Sequence, residues 1–233
     1  MIMIGILGGM GTQAGLDFCN KLAMLNRGKI DQKYPLFILY NKSNIPGRPE
    51  NLHKYNKVLK SLVKGCLFLQ NNKCKFIVIP CNTAHYWYDD LQKKIKIPII
   101  SMPKEVYFYA KKKCKKNSKI GMLATEATIK TKVYNKFFDK HFELINPTKY
   151  LQSKSVNKAI KFVKMGEVKK AAKAIKFAIN YLVKVKCKKI ILGCTELPIA
   201  IFAFKSLKKT KLSKIFIDPN LILAESSMKK YKN

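Results

Sequence analysis

The chain has 233 residues, 48% of them hydrophobic, and a formal net charge of +34. That length supports one large domain or two of about 100 residues, and the composition is that of a globular rather than a disordered chain. No apolar run approaches the roughly 20 residues needed to cross a bilayer, which excludes a membrane-spanning helix, and the charge is almost all Lys, scattered along the chain with Arg only at Arg27 and Arg48. Dedicated nucleic-acid readers cluster their charge and favour Arg, so no specific nucleic-acid partner is expected.

In chain order, MIMIGILGGMG has no basic leader region and no cleavage-like ending, and reads as a first buried strand over Ile2–Leu7. The expected address is therefore the cytoplasm. Further strands are predicted at Leu36–Tyr40, Phe76–Ile79, Ile97–Ile100, Ile120–Leu123, Phe142–Ile145, Lys189–Leu192 and Ile215–Ile217. Helix-period stretches lie between them at Thr12–Arg27, Asn51–Gln70, Thr83–Lys93, Lys104–Lys115, Glu126–Phe138, Ser153–Met165, Lys169–Val183, Leu197–Ser206 and Asn220–Lys230. Such alternation predicts an α/β protein of mostly parallel sheets flanked by helices.

Phe76–Cys81 and Lys189–Cys194 share one grammar: strand, small turn, cysteine, Asn or Thr, then a helix start. The repeat suggests two halves. Residues 1–100 with 209–233 form the first expected domain, carrying Cys81, and residues 101–208 form the second, carrying Cys194.

Gly8–Gly15, GGMGTQAG, fits a loose dinucleotide fingerprint as Gly9-x-Gly11-x-x-Ala14, but the second strand ends in Tyr40–Asn41–Lys42 without the acid that would hold a ribose. What survives is a glycine loop whose backbone approaches a small ligand and whose helix start faces a carboxylate, or a tight strand–helix turn alone. The seven cysteines form no C-x-x-C pair, so neither zinc nor another metal is expected. In a reducing compartment they are free thiols. Cys81 and Cys194 stand apart from the rest because each precedes a helix start, where partial positive charge favours thiolate. A Cys–His hydrolase would use His85, but no orienting third group accompanies it. His85 either hydrogen-bonds a neighbouring cysteine or simply packs.

MIGILGGMG, DQKYP, IPGRPE, VIPCNTAHYWYDDLQ, MLATEAT, ILGCTELP and DPNLILAE, in that order from Met3 to Glu225, resemble the aspartate racemase branch of the Asp/Glu racemase superfamily. Glutamate racemases carry an Asp-Ser pair in the first loop and a histidine after the second Cys-Thr. Gly8–Gly11 and Glu196 stand in those places here, which favours the aspartate-type branch over glutamate racemases; hydantoin racemases, maleate isomerases and arylmalonate decarboxylases share the architecture and stand as alternatives. The resemblance implies two pseudo-symmetric α/β domains with the active site in the cleft between them, and cofactor-independent racemisation by Cys81 and Cys194 on opposite faces of the substrate. It further implies that Asn82, Thr83 and Thr195 bind the α-carboxylate and amino groups, that Arg48 and Lys164 hold carboxylate, and that Met10 of the glycine loop lines the substrate site. Homodimers are common in such a family.

The chemistry agrees with that expectation. An α-proton is a very weak acid, so inversion needs a base on one face and an acid on the other; one cysteine is then thiolate while its partner is thiol. Thr12, Tyr34, Gly47 and Pro49 replace residues usual in the family, and they flank the expected specificity loop. The rival readings are a racemase that also takes glutamate or other amino acids, and a catalytically silent binding paralogue.

Overall fold

The structure is a computed structural model that describes residues 2–26, 30–202 and 214–232. It divides into two compact units, Met1–Glu105 with Asn220–Asn233, and Val106–Pro219.

The first unit is built on a parallel sheet of strand order β2-β1-β3-β4, formed by β1 (Ile4–Gly8), β2 (Phe37–Asn41), β3 (Phe76–Val78) and β4 (Ile99–Ile100). All five residues of β1 are buried. A strand bonded on both edges and covered on both faces must be apolar throughout, and IGILG is. Four helices belong to this stretch of chain: α1 (Thr12–Leu25), α2 (Tyr55–Asn71), α3 (Tyr88–Lys94) and α4 (Met102–Lys113). On α2, Val58, Leu59, Leu62, Cys66 and Leu69 are buried, a three-and-four spacing that keeps one stripe on the sheet while the lysines stay outside.

In the second unit the sheet order is β6-β5-β7-β8, again all parallel. Its strands are β5 (Ser118–Ala124), β6 (Phe142–Ile145), β7 (Lys189–Gly193) and β8 (Phe216–Ile217). The winding is that of the first unit, with the opening strand inside, the second on one side and the third and fourth on the other. The helices are α5 (Glu126–Lys130), α6 (Asn135–Phe138), α7 (Lys149–Leu151), α8 (Lys158–Lys164), α9 (Val168–Lys184) and α10 (Leu197–Phe202). On α9 the buried stripe is Ala171, Ala172, Ile175, Ala178, Ile179 and Leu182. The chain then returns to the first unit in α11 (Pro219–Lys232). There Asn220, fully buried, donates to the Ala14 carbonyl at 3.1 Å and to the Asp17 carboxylate at 2.9 Å, which ties α11 to α1 and explains the asparagine of DPNLILAE in structural terms.

Several expectations need correction. The sequence places Ile215–Ile217 in the first domain, but Phe216 and Ile217 pair with Ile190 and Ile191 of β7, so they belong to the second unit. The expected return at residues 208 and 209 lies outside the described residues, as do the ends of the helices predicted to Arg27 and Ser206. The first crossing falls between Glu105 and Val106, inside α4, rather than at residue 100. The helix expected over Glu126–Phe138 is two short ones, because Lys132 sits at φ 52°, where the helix cannot continue. The one expected from Ser153 starts at Lys149, where the Thr148 hydroxyl accepts the Leu151 N–H as a cap, and it passes through a π-helical stretch at Gln152–Asn157. After Cys81 the chain forms a 3-10 turn, Thr83–Trp87, before α3 begins.

Candidate active site

Both singled-out cysteines lie just beyond the carboxyl end of the third strand of their sheet, where open parallel sheets gather ligands. Cys81 follows β3 by three residues and Cys194 follows β7 directly; each is 6% exposed. Asn82 and Thr83 beside the first, and Thr195 and Glu196 beside the second, are buried as well.

In the first unit, His85 organises the turn. Its Nδ1 lies 2.9 Å from the Cys81 carbonyl, and the Met102 N–H, at the start of α4, donates to its Nε2 at 3.1 Å. Because Nε2 must accept, Nδ1 carries the proton and donates. Burial, only partly opposed by those backbone bonds, lowers the imidazole pKa to about 4, so the ring is neutral at neutral pH. Both nitrogens are spent on backbone, which removes the Cys–His hydrolase reading and leaves His85 tying the Cys81 turn to the start of α4. The Tyr88 ring stacks on it at 6.1 Å.

The glycine loop approaches the loop after β2. Gly9 has φ +85°, and a Cβ there would stand 2.3 Å from the Lys42 carbonyl carbon; only glycine fits. The same loop fixes Arg48: its Nη2 donates to the Met10 carbonyl at 2.6 Å, and its Nη1 to the carbonyls of Pro46 at 3.2 Å and Ile45 at 3.5 Å. The buried Nε has no partner among the described residues. Of five guanidinium donors, three hold the backbone and two, on Nε and Nη2, remain. Met10 is itself buried, and it is its carbonyl that contacts Arg48.

In the second unit the Cys194 thiol donates to Glu196 Oε2 at 2.9 Å, and the Thr195 hydroxyl reaches the same oxygen at 3.4 Å. Burial first, then the Glu196 charge and its hydrogen bond, hold the Cys194 thiol well above its ordinary pKa; the Glu196 backbone N–H and the charge of Lys164 oppose them. Lys164 is exposed at the end of α8. A role for Glu196 was not read from the sequence. The available signal was an acid set into the apolar run ILGCTELP of a chain with only 13 Asp and Glu. The tie between Met10 and Arg48 left no signal, since it runs through a backbone carbonyl.

Among the described residues, no group of three or more His, Cys, Asp and Glu side chains could hold a metal ion, and no helix is long and apolar enough to cross a membrane. A cavity of about 730 Å³ in the first unit is bordered by Lys75, Lys104, Lys229 and Lys230 and includes neither cysteine.

The Asp/Glu/hydantoin racemase family model matches residues 7–226, nearly the whole chain. This chain belongs to the Asp/Glu/hydantoin racemase family. It is a cofactor-independent amino-acid racemase, and its relatives agree. The broad specificity amino-acid racemase RacX of Bacillus subtilis (strain 168) is 27% identical over 203 residues, covering 84% of this chain and 86% of that protein. The aspartate racemase of Picrophilus torridus superposes with a TM-score of 0.83 at 28% identity, over all of this chain and 95% of the other. The glutamate racemase of Thermus thermophilus, solved with β-chloro-D-alanine, shares the fold at a TM-score of 0.70 and 19% identity, over 99% of this chain and 80% of that one. The two like-wound parallel sheets of this racemase are the fold those structures share.

Proposed function

We propose that this racemase interconverts L- and D-aspartate, with Cys81 and Cys194 as the two proton-transfer groups at the α-carbon. The observation that carries the proposal is positional equivalence: two buried thiols stand at matching strand ends of two sheets with the same winding. A two-base reaction needs one group on each face of the α-carbon, one charged and one protonated. The reading draws on Arg48 for the side-chain carboxylate, since its two remaining N–H groups suit a forked contact that a lysine cannot make. Asn82, Thr83 and Thr195 are assigned to the α-carboxylate and amino groups and Lys164 to carboxylate charge, while Met10 acts by fixing Arg48. Without an electron sink, fixed donors must stabilise the developing charge.

The second reading is a broader racemase that accepts glutamate and other amino acids. The name of the Bacillus subtilis relative and the replacements at Gly47 and Pro49 beside Arg48 support it. The protein is taken to work in the cytoplasm as a homodimer, which light scattering can check. Incubation with L-aspartate and with L-glutamate in deuterated water, followed by α-proton NMR and optical rotation, separates the readings. Faster exchange and racemisation of aspartate supports the first, and comparable rates support the second. No turnover of either acid overturns both. Cys81→Ala and Cys194→Ala should each abolish racemisation, and full activity in either would sink the two-thiol mechanism.

A further inference from the structure

The two cysteines do not stand in equivalent surroundings. Cys81 has a carbonyl held by a neutral imidazole, whereas Cys194 has a carboxylate against its sulfur. That carboxylate belongs to Glu196, which is 7% exposed. Among the described residues, the charge of Lys164 on α8 also reaches the sulfur. Around Cys194 Sγ there is thus an acceptor for a thiol, Glu196 Oε2, and a donor for a thiolate, the Glu196 backbone N–H.

A thiolate 2.9 Å from an ionised carboxylate would place two like charges in one buried site, and such pairs keep one proton between them. Cys194 can therefore be thiolate only while Glu196 holds the proton. We propose that Glu196 is the proton store of the second half-site, taking the thiol proton whenever Cys194 must act as the base. This inference rests on the two-thiol reading above.

The protons balance. Before the step in which Cys194 is the base, Cys81 is a thiol and the Cys194–Glu196 pair holds one proton, on Glu196. The Cα–H bond breaks, its electron pair stays on carbon, and the proton forms an S–H bond at Cys194. The carbanion then takes the proton of the Cys81 thiol on its other face, and that S–H pair stays on sulfur. Afterwards Cys81 holds none and the pair holds two. Between turnovers one proton passes from the pair back to Cys81 through water. The opposite enantiomer runs the same steps in reverse.

The test is a thiolate titration by ultraviolet absorbance, with Cys194→Ser identifying the signal that belongs to Cys194. In Glu196→Gln the neighbouring anion is gone, so this signal should rise at a pH lower by about one unit or more than in the unsubstituted protein. Glu196→Asp, which keeps a carboxylate, should stay closer to the parent, and the pH profile of kcat/KM should shift in Gln but not in Asp. A glutamate that only filled space beside the sulfur, without a charge there, would be replaced by glutamine without moving either readout. An unmoved Cys194 titration in Glu196→Gln overturns the proton-store role alone. Should that variant not fold, a Cys194 signal in the unsubstituted protein that rises at the ordinary cysteine pH overturns it equally. Full racemisation by Cys194→Ala instead overturns the two-thiol reading beneath it.

Discussion

The His85 imidazole bridges the Cys81 carbonyl and the Met102 amide, at 2.9 and 3.1 Å, and so ties the cysteine turn to the first turn of α4. His85→Ala would leave both backbone groups buried without a partner, at about 1–3 kcal/mol each. The expected result is a lower midpoint of thermal unfolding and, with Cys81 in its proposed role, a fall in kcat with little change in KM, since both ring nitrogens are bound to backbone. Thermal unfolding and initial rates check it.

The same ring gives the protein an acid weakness. Its folded pKa is lowered to about 4, below the ordinary 6.5, so the unfolded chain binds a proton that the folded one refuses. Its contribution is fully present above pH 6.5 and is lost as pH falls from 6.5 towards 4, an effect of roughly 3 kcal/mol. Denaturant unfolding across that window should lose this stability in the parent protein, and His85→Gln should flatten the slope.

Arg48 is held by carbonyls from both the glycine loop and its own loop. Arg48→Lys keeps the charge but cannot make three backbone bonds and a fork at once. KM for aspartate should rise roughly tenfold or more, about 1.4 kcal/mol, with a smaller change in kcat. Steady-state kinetics on both enantiomers measure it.

Gly9→Ala should be among the more damaging substitutions outside the core. The added methyl meets the Lys42 backbone at 2.3 Å in a left-handed conformation, so the β1–α1 loop must move, and Met10 with it. A stability loss of roughly 1–3 kcal/mol is expected from the conformation alone, together with lost affinity for aspartate because Arg48 loses its anchor. Calorimetry and substrate titration check the two halves.

Much of this was legible from residue order because the signals are local. Strand and helix periods depend on neighbours a few residues apart, so all eight predicted strands exist, within about two residues of their expected ends. The two cysteine turns could be matched for the same reason. Misreadings arose where local pattern was silent. Lys132 adopts a left-handed conformation that its residue type does not announce, and Thr148 started a helix earlier than the apolar period suggested.

By itself, the order of residues determined an α/β chain with two cysteine-bearing strand ends and a single arginine in a loop of prolines and glycine. Tertiary structure alone decided what those groups touch. The two-residue β8 joined the second sheet, because a strand that short gains its identity only from its partner β7. Met10 and Arg48, 38 residues apart, met through a backbone carbonyl that every residue type possesses. Glu196 lay in plain view two residues from Cys194, but only folding turned its carboxylate onto the sulfur. Burial then made that contact matter, because charges that water would screen must share a proton inside the protein.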